Sequence, residues 1–312
     1  DGTTLASASG DGTVKLWEVE SGALLHDFTD HEDEVFHVSW SPDGTTLASA
    51  SADTTVKLWD AESGELLHDF TDHENTVIHV SWSPDGTTLA SASADTTVKL
   101  WDAESGELLH DFTNHEDWVR YVSWSPDGTT LASASGDGTV KLWDAARGEL
   151  LHDLTDHEGG FSHVSWSPDG TTLASASADG TVKLWDAESG ELLHDLTDHE
   201  DVVNHVSWSP DGKTLASASF DGTVKVWDAE SGELLHDLTD HEDVVNHVSW
   251  SPDGKTLASA SFDGTVKVWD VDADRLLEKI CTRLQNYLRD NPEVSDEDRH
   301  LCDGIATSRP SD

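Results

Sequence analysis

The chain has 312 residues, which is enough for one large domain or two small ones. Its formal net charge of -46, with 17 Lys and Arg against 63 Asp and Glu, argues against nucleic acid and anionic membranes as partners, because both are bound through basic side chains. No apolar stretch reaches the roughly 18 residues of a membrane helix. The start of the sequence has no basic segment followed by an apolar core, so no signal peptide is predicted.

The first unit of the chain is predicted to be incomplete. The sequence opens with "DGTTLASAS", which corresponds to a second strand in later units, so this unit has no inner strand and no His before Asp11. Because the chain also starts without Met, we expect a fragment or a processed product. The two cysteines, Cys281 and Cys302, are too few for a disulfide framework, and a cytoplasmic location is the default expectation.

The second unit shows a pattern of four short strands. Its predicted strands are "VFHVSWS" (35–41), "TTLASAS" (45–51), "TVKLWD" (55–60) and "ELLHDF" (65–70). The first strand ends at Pro42-Asp43-Gly44, which is turn chemistry that lets the chain reverse. A single sheet of this kind cannot bury both of its faces, so we expect successive sheets to stack on one another around a ring.

This pattern recurs with a period of 42 residues. A Trp followed by Asp or Glu ends each predicted third strand, at Trp17, Trp59, Trp101, Trp143, Trp185, Trp227 and Trp269. With this period and signature, residues 1–272 resemble the WD40-repeat family, in which each repeat forms a four-stranded blade. The resemblance implies an all-β fold, a seven-bladed β-propeller, followed by a separate C-terminal tail over residues 273–312.

The tail is predicted to form a short helix. Its apolar residues from Leu276 to Leu288 follow a helical period, with Asp274 as a suitable cap and Pro292 as a stop. The alternative makes the first two leucines of the tail the outer strand of the last blade. The segment "SDEDRHLCDGI" resembles the C-terminal end of cyanobacterial multidomain WD40 proteins, where the propeller is usually fused to signalling or effector domains.

Each complete unit contains a His, a Ser, an Asp and a Trp at fixed offsets. The first three are the side-chain types of a hydrolase triad, but a triad needs one copy and an oxyanion hole in a cleft, whereas this set occurs six times. In the WD40 family the matching residues form a buried structural chain of hydrogen bonds, which we expect here in place of catalysis. The network residues are His31, Ser49, Asp53, Trp59, His73, Ser91, Asp95, Trp101, His115, Ser133, Asp137, Trp143, His157, Ser175, Asp179, Trp185, His199, Ser217, Asp221, Trp227, His241, Ser259, Asp263 and Trp269.

Two further histidine series raise the question of a metal site. The inner-strand series is His37, His79, His163, His205 and His247, interrupted by Tyr121. Zinc needs ligands converging to about 2.0–2.1 Å, and we expect equivalent atoms on neighbouring blades to lie several times farther apart, so neither a metal nor a cofactor is predicted. The outer-strand series, which includes His26, His68 and His110, is expected to be solvated.

Three positions vary strongly among units that are otherwise nearly identical. The loop series is Glu34, Thr76, Trp118, Gly160, Val202 and Val244. The mouth series is Phe36, Ile78, Arg120, Ser162, Asn204 and Asn246. The turn series is Gly10, Ala52, Ala94, Gly136, Ala178, Phe220 and Phe262. The family resemblance places all three on one rim around the channel mouth, and we call them together the variable rim.

The variable rim predicts a recognition surface. Drift at loop tips is the alternative, but drift does not readily place two Phe, a Trp and several Val on a polar rim. Trp118 and Arg120 share one side of a strand, and Glu32 and Asp33 belong to an acidic border, which suits a ligand with an apolar anchor and basic flanks. The predicted function is therefore a non-catalytic module that binds a protein or peptide, as the sensor of a larger signalling or defence protein. The competing interpretation is a structural scaffold, or an engineered or recently amplified repeat protein, with no specific partner.

Overall fold

The described part of the chain is an all-β structure. The computed structural model describes residues 2–272 and residue 281, and these contain 26 strands in seven antiparallel sheets, so the prediction of seven blades is confirmed. No helix in this described part has the length and apolar character needed to cross a membrane. The predicted tail helix and its alternative, an outer strand, fall almost entirely outside the described residues.

The described strands follow the 42-residue repeat along the chain. Blade 1 holds β1 (Thr4–Ala8), β2 (Val14–Glu18) and β3 (Leu24–Phe28), and blade 2 holds β4 (Val35–Trp40), β5 (Thr46–Ser51), β6 (Val56–Asp60) and β7 (Leu66–Phe70). Blade 3 holds β8 (Val77–Trp82), β9 (Thr88–Ser93), β10 (Val98–Asp102) and β11 (Leu108–Phe112). Blade 4 holds β12 (Val119–Trp124), β13 (Thr130–Ser135), β14 (Val140–Asp144) and β15 (Glu149–Leu154). Blade 5 holds β16 (Phe161–Trp166), β17 (Thr172–Ser177), β18 (Val182–Asp186) and β19 (Leu192–Leu196). Blade 6 holds β20 (Val203–Trp208), β21 (Thr214–Ser219), β22 (Val224–Asp228) and β23 (Leu234–Leu238), and blade 7 holds β24 (Val245–Trp250), β25 (Thr256–Ser261) and β26 (Val266–Asp270).

Local turn chemistry sets the strand boundaries in each blade. In blade 2 the Asp43 carboxylate accepts hydrogen bonds from the Ser41 hydroxyl at 2.7 Å and from the Thr45 N–H at 3.1 Å. Gly44, which follows, has a φ of 72°, a left-handed conformation that glycine adopts without a steric penalty. These interactions close the hairpin between β4 and β5, and the observed strands lie within one residue of the predicted ones.

Successive blades are held together by apolar faces and by repeated hydrogen bonds, one of which lies on the inner strands. Between blades 2 and 3 the buried cluster contains Ala48, Ala50, Val56, Leu58, Phe70, Val77, Val80, Trp82, Leu89 and Trp101. The Trp82 indole N–H also donates to the Ser39 carbonyl of the preceding blade at 3.1 Å. The same contact recurs along the chain, so each inner strand is tied to its neighbour at the centre of the molecule.

Among the residues that the structure describes, the two terminal blades differ from the others because each has three strands and one uncovered face. Blade 1 lacks an inner strand, as predicted, and blade 7 has no outer strand among the described residues. Val266 and Val268 of blade 7 are 69% and 71% exposed, whereas Leu47 at the interface of blades 1 and 2 is fully buried. On blade 1, Leu5 is 59% exposed. The seventh and first blades therefore do not bury these faces against each other.

Candidate recognition surface at the channel mouth

Each of blades 2 to 7 contains a continuous chain of hydrogen bonds through its four network residues. The imidazole Nδ1–H donates to the Asp carboxylate at 2.7–2.9 Å, and the Ser hydroxyl meets Nε2 at 2.7–2.9 Å. The Trp indole N–H then donates to the Ser oxygen at 2.8–3.0 Å. The network joins the loop before the inner strand to the turn between the second and third strands. It therefore fixes the backbone from which the variable rim projects.

The Asp of each network binds more donors than a surface carboxylate would. Asp53 accepts from His31 at 2.7 Å, from the Glu32 N–H at 3.0 Å and from the Thr55 hydroxyl at 2.7 Å. Burial on its own would raise the pKa of this carboxyl, but these hydrogen bonds outweigh burial and hold the pKa at about 2. For His31 burial dominates and lowers the pKa, although Asp53 opposes that shift. The pair is therefore best described as a carboxylate beside a neutral imidazole.

This arrangement has the hydrogen-bond order of a hydrolase triad but not its accessibility. Ser49 is fully buried, and its oxygen is already engaged by His31 and Trp59. The second serine of the same strand, Ser51, donates instead to the Asp33 carbonyl at 3.2 Å and so secures the loop before the inner strand. A substrate cannot reach the Ser49 hydroxyl without unfolding the blade.

The inner-strand histidines form a stacked array, which corrects one sequence-based expectation. Neighbouring rings along His37, His79, Tyr121, His163, His205 and His247 have centroids 4.0, 3.9, 4.1, 3.9 and 3.7 Å apart. The expectation that equivalent atoms lie several times farther apart than zinc and its ligands was wrong, because the inner strands converge near the axis and neighbouring rings pack against each other with their planes inclined by 30–53°. Even so, the described residues contain no group of three or more His, Cys, Asp or Glu arranged to hold a metal ion.

Burial controls the protonation of this array. It lowers the pKa of His37 to about 4, lowers those of His79 and His163 well below their usual range, and raises the pKa of Tyr121 to about 12. Both ring nitrogens of His163, and Nδ1 of His37 and His79, have no hydrogen-bond partner in the described structure. The array is therefore a neutral, apolar-like packing element in the centre of the propeller.

The outer-strand histidines were expected to be solvated, and the structure shows that they also make contacts between blades. His26 is partly buried and its Nε2 lies 3.1 Å from the Glu62 carbonyl of the next blade. His68 and His110 make the same contact with the following units. Each ring packs so closely on a turn glycine that a Cβ added to Gly64 would lie 2.6 Å from the His26 ring. These side chains are inter-blade contacts.

The structure brings the loop series and the turn series together on one rim. In each of blades 2 to 7 the N–H of the turn residue donates to the carbonyl of the loop residue, for example Gly136 to Trp118 at 2.8 Å and Phe220 to Val202 at 2.9 Å. Trp118 is 51% exposed, and Phe220 and Phe262 are 42% and 67% exposed. Aromatic side chains therefore stand in solvent at several points of an otherwise polar rim.

The mouth series lines one shared depression, which we call the mouth cavity. Its volume is about 620 Å³, and its lining residues are Phe36, Asn75, Thr76, Ile78, Ala94, Trp118, Arg120, Ser162, Asn204 and Asn246. All six members of the mouth series are in that set, although they come from six different blades. Phe220, Phe262, Gly160, Val202, Val244 and Glu34 are not among the lining residues. Larger depressions at the other end of the blades are lined by turn residues that the units copy, such as Pro42 and Asp43.

The mouth cavity holds an unusual positive charge. The repeated lysines of the third strands are not free, because Lys57 pairs with Asp69 at 2.7 Å while being 4% exposed, and its equivalents pair in the same way. Lys213, Lys255 and Arg147 pair with acids of their own loops or neighbouring segments. Arg120 is exposed and has no ion pair or hydrogen bond to any residue of the described chain. Sequence reasoning singled out Arg120 but could not show that it is unpaired.

Comparison with known proteins agrees with this architecture. A family model described as the second β-propeller of the echinoderm microtubule-associated protein matches residues 87–244, and the model of the WD domain, G-beta repeat, matches residues 1–18, 22–60, 64–102 and 232–270. Among curated proteins, the F-box-like/WD repeat-containing protein TBL1X of Mus musculus is 54% identical over 39 residues, which are 12% of this chain and 7% of the mouse protein. The WD40 repeat-containing protein HOS15 of Arabidopsis thaliana is 51% identical over 39 residues, which are 12% of this chain and 6% of the plant protein.

These matches to individual proteins span about one repeat and a small part of each relative. They therefore show that the repeat is similar and do not show a shared activity. The family models, by contrast, extend over most of the propeller, and a propeller of this type generally serves in protein interaction. With its 42-residue period, its four-stranded blades and its buried His–Ser–Asp–Trp networks, the chain belongs to the WD40-repeat β-propeller family.

Proposed function

We propose that this propeller is a non-catalytic recognition module that captures a protein or peptide at the mouth cavity and the variable rim. The observation that carries the proposal is the convergence of the mouth series. Six residues from six blades line one cavity, and they are among the few positions where nearly identical units differ in chemistry. Packing accounts for the constant residues, since these fill the blade interfaces, but it does not account for the changes in chemistry at the mouth series, whose members are exposed or half-buried.

The chemistry of the rim suggests what the partner offers. Exposed aromatic rings at Trp118 and Phe36 supply apolar area, and Trp is enriched at the energetic centres of protein interfaces. The loops around them carry exposed acids, including Asp33, Asp117 and Asp201. A partner with an apolar anchor and basic flanks complements both features, and its capture is expected to be faster at low salt because of charge attraction.

The experiment replaces two rim residues by those that the chain uses two units later. The double variant Trp118→Val with Arg120→Asn copies residues 202 and 204, so the fold is expected to remain intact. Capture of partners from a lysate of the source organism is expected to fall at least tenfold, since loss of one central aromatic side chain commonly costs about 2 kcal/mol or more.

A matched control removes one apolar group and one charge elsewhere. Leu109 is 46% exposed on an outer strand, and Arg147 lies in the turn before β15, at the other end of its blade. The control variant Leu109→Val with Arg147→Asn is expected to capture the same partners as the unmodified chain. If the rim variant also captures them undiminished, the scaffold interpretation replaces this proposal.

A further inference from the structure

The unpaired Arg120 narrows the class of ligand further than the shape of the rim does. Nearly every other Lys and Arg between residues 2 and 272 has an ion pair, and Lys267 donates a hydrogen bond to the Asp240 carbonyl. In a chain with a net charge of -46, carboxylates to pair with a cation are abundant. A single cation that lines a cavity without a partner in the described structure is therefore poised to bind an anionic group from outside.

The neighbours of Arg120 in the mouth cavity are hydrogen-bonding groups and apolar groups, and none is an acid. Amide side chains come from Asn75, Asn246 and Asn204, of which Asn204 already donates one N–H to the Val245 carbonyl at 3.3 Å, and hydroxyls come from Thr76 and Ser162. Amide N–H groups and hydroxyls can donate to an oxyanion beside a guanidinium, which itself presents a planar fork suited to a carboxylate. The lining thus combines one cation with several donors around a concave site.

Apolar surface lies directly beside this polar set. Trp118 stands two residues before Arg120, and both line the cavity together with Phe36 and Ile78. A ligand must therefore present a carboxylate and an apolar side chain close to each other. The last residue of a polypeptide does so when its side chain is apolar, because the α-carboxylate and the side chain share one carbon atom. A chain end also enters a depression of about 620 Å³ through its single opening to the rim without having to continue beyond it.

The long-range field sets a further condition on the ligand. The exposed acids of the rim repel a free anion, so a bare carboxylate gains little by approaching Arg120. Basic residues upstream of the carboxylate would remove this penalty because they would lie against the acidic loops. The negative potential of the rim therefore disfavours small anions. It favours the end of a partner polypeptide that carries basic residues together with its carboxylate.

From these features we infer that the mouth cavity binds the C-terminal carboxylate of a polypeptide that ends in an apolar residue and carries basic residues just upstream. This inference rests on the proposed function and names the ligand class of the same site. Arg120 and the amide side chains receive the carboxylate, Trp118, Phe36 and Ile78 contact the terminal side chain, and the acidic loops contact the basic residues.

The test uses a panel of fluorescein-labelled hexapeptides titrated against the full chain by fluorescence polarisation. Each peptide has two basic residues, three Gly or Ser residues, and a final Leu, Ile, Val, Phe or Trp, made once as the free acid and once as the C-terminal amide. A third arm carries an internal Glu before an amidated end. The free acids are expected to bind at least about tenfold more tightly than both amidated sets, because only they place a carboxylate at the chain end.

Two variants test whether Arg120 causes the preference for the free-acid peptides. Arg120→Asn, which copies Asn204 and Asn246, is expected to abolish the preference for the free acid, whereas Arg147→Asn removes the same charge from a distant turn and is expected to keep it. Equal binding of acid and amide, equal binding of the internal Glu peptides, or no binding in the whole panel would overturn the inference. The proposed function would still stand in those cases if lysate capture remained sensitive to the rim variant.

Discussion

Thr54 and Thr96 adopt backbone conformations that other units assign to glycine. Their φ angles are 73° and 74°, while Gly138 and Gly180 at equivalent positions have 80° and 83°. A β-branched residue in this left-handed region is strained by about 1–2 kcal/mol, whereas glycine increases the entropy of the unfolded chain at a cost of about 0.4–1 kcal/mol. The two units with "DTT" in place of "DGT" are therefore local weak points.

Replacing both threonines by glycine is expected to stabilise the protein. The gain predicted for Thr54→Gly with Thr96→Gly is on the order of 1 kcal/mol in total, read as a higher midpoint in urea denaturation. The reciprocal change Gly138→Thr is expected to lower the midpoint. A double glycine variant that unfolds earlier than the parent would show that these turns are not strained.

The network Asp residues are expected to matter more than the exposed turn Asp residues. Asp179 accepts from His157 at 2.9 Å, from the Glu158 N–H at 3.0 Å and from the Thr181 hydroxyl at 2.7 Å. Asp179→Ala leaves a buried imidazole N–H without its acceptor, at a cost of about 1–3 kcal/mol. Asp169→Ala also removes hydrogen bonds, but water replaces them because that turn is exposed. Equal losses in denaturant melts would argue against a structural role for the network.

The stabilisation that Asp179 gives to the fold is expected to decrease in acid. Burial would raise the pKa of Asp179, but the hydrogen bonds from Thr181 and His157 lower it from 3.8 to about 2. A depressed carboxyl pKa stabilises the fold above the unfolded value and loses that effect as pH falls from about 3.8 toward 2. The network carboxylates thus protect the fold at neutral pH and in mild acid.

On the inner strands, the stacked array makes the free energy of unfolding depend on pH. This dependence lies at higher pH than that of the network carboxylates. Its histidines are neutral in the fold, with the pKa of His37 lowered from 6.5 to about 4 by burial. Between these values the unfolded chain binds more protons than the folded one, so the free energy of unfolding falls as pH falls. Each such histidine contributes about 1.4 kcal/mol per pH unit within the window.

A single substitution tests this element. His163→Tyr introduces the residue that the chain already uses at Tyr121, and it removes one group that burial keeps neutral in the fold but that binds a proton below pH 6.5 in the unfolded chain. The slope of unfolding free energy against pH is expected to decrease by about 1.4 kcal/mol per pH unit, and Tyr121→His is expected to increase it. Urea melts at pH 7.0, 6.0 and 5.0 measure both slopes. Unchanged slopes in both variants would mean that the array does not remain neutral in the fold.

Strands, turns and networks could be predicted from the sequence because their information is local or periodic. Pro42-Asp43-Gly44 ends a β-rich run, and the offsets of His31, Ser49 and Asp53 repeat with the period. The histidine arrays could not be predicted in the same way, since their contacts join different blades. His26 meets the Glu62 carbonyl 36 residues farther along, and the spacing of rings at the axis depends on how tightly the blades pack.

At the scale of the whole molecule, the uncovered faces of blades 1 and 7 are expected to affect solubility. Val266, Val268 and Leu5 expose apolar area, and uncovered strand edges favour association with other chains. Deleting residues 282–312 is expected to lower solubility or to raise the mass measured by light scattering, because fewer residues then compete with a second chain for these faces. Adding Val266→Lys and Val268→Glu to the truncated chain should bring the measured mass per chain back to that of the full-length protein. A truncated chain that stays monomeric with unaltered melting would contradict this account.

The constant positions build the propeller, and we propose that the few variable positions confer recognition. The most direct measurement compares the chain with an equalised variant, in which every unit takes the Val and Asn found at residues 202 and 204. The required substitutions are Glu34→Val, Phe36→Asn, Thr76→Val, Ile78→Asn, Trp118→Val, Arg120→Asn and Ser162→Asn. Gly160 is kept, because a Cβ there would lie 3.1 Å from the Gly136 carbonyl oxygen.

Quantitative mass spectrometry of proteins captured from source lysate, with circular dichroism melts of both chains as the folding control, gives the result. We predict that the equalised variant melts cooperatively with the same spectrum, since surface substitutions usually change stability by no more than about 0.5 kcal/mol each, and that it loses the partners captured by the unmodified chain. Capture of the same partners in the same amounts by a folded equalised variant would contradict the account.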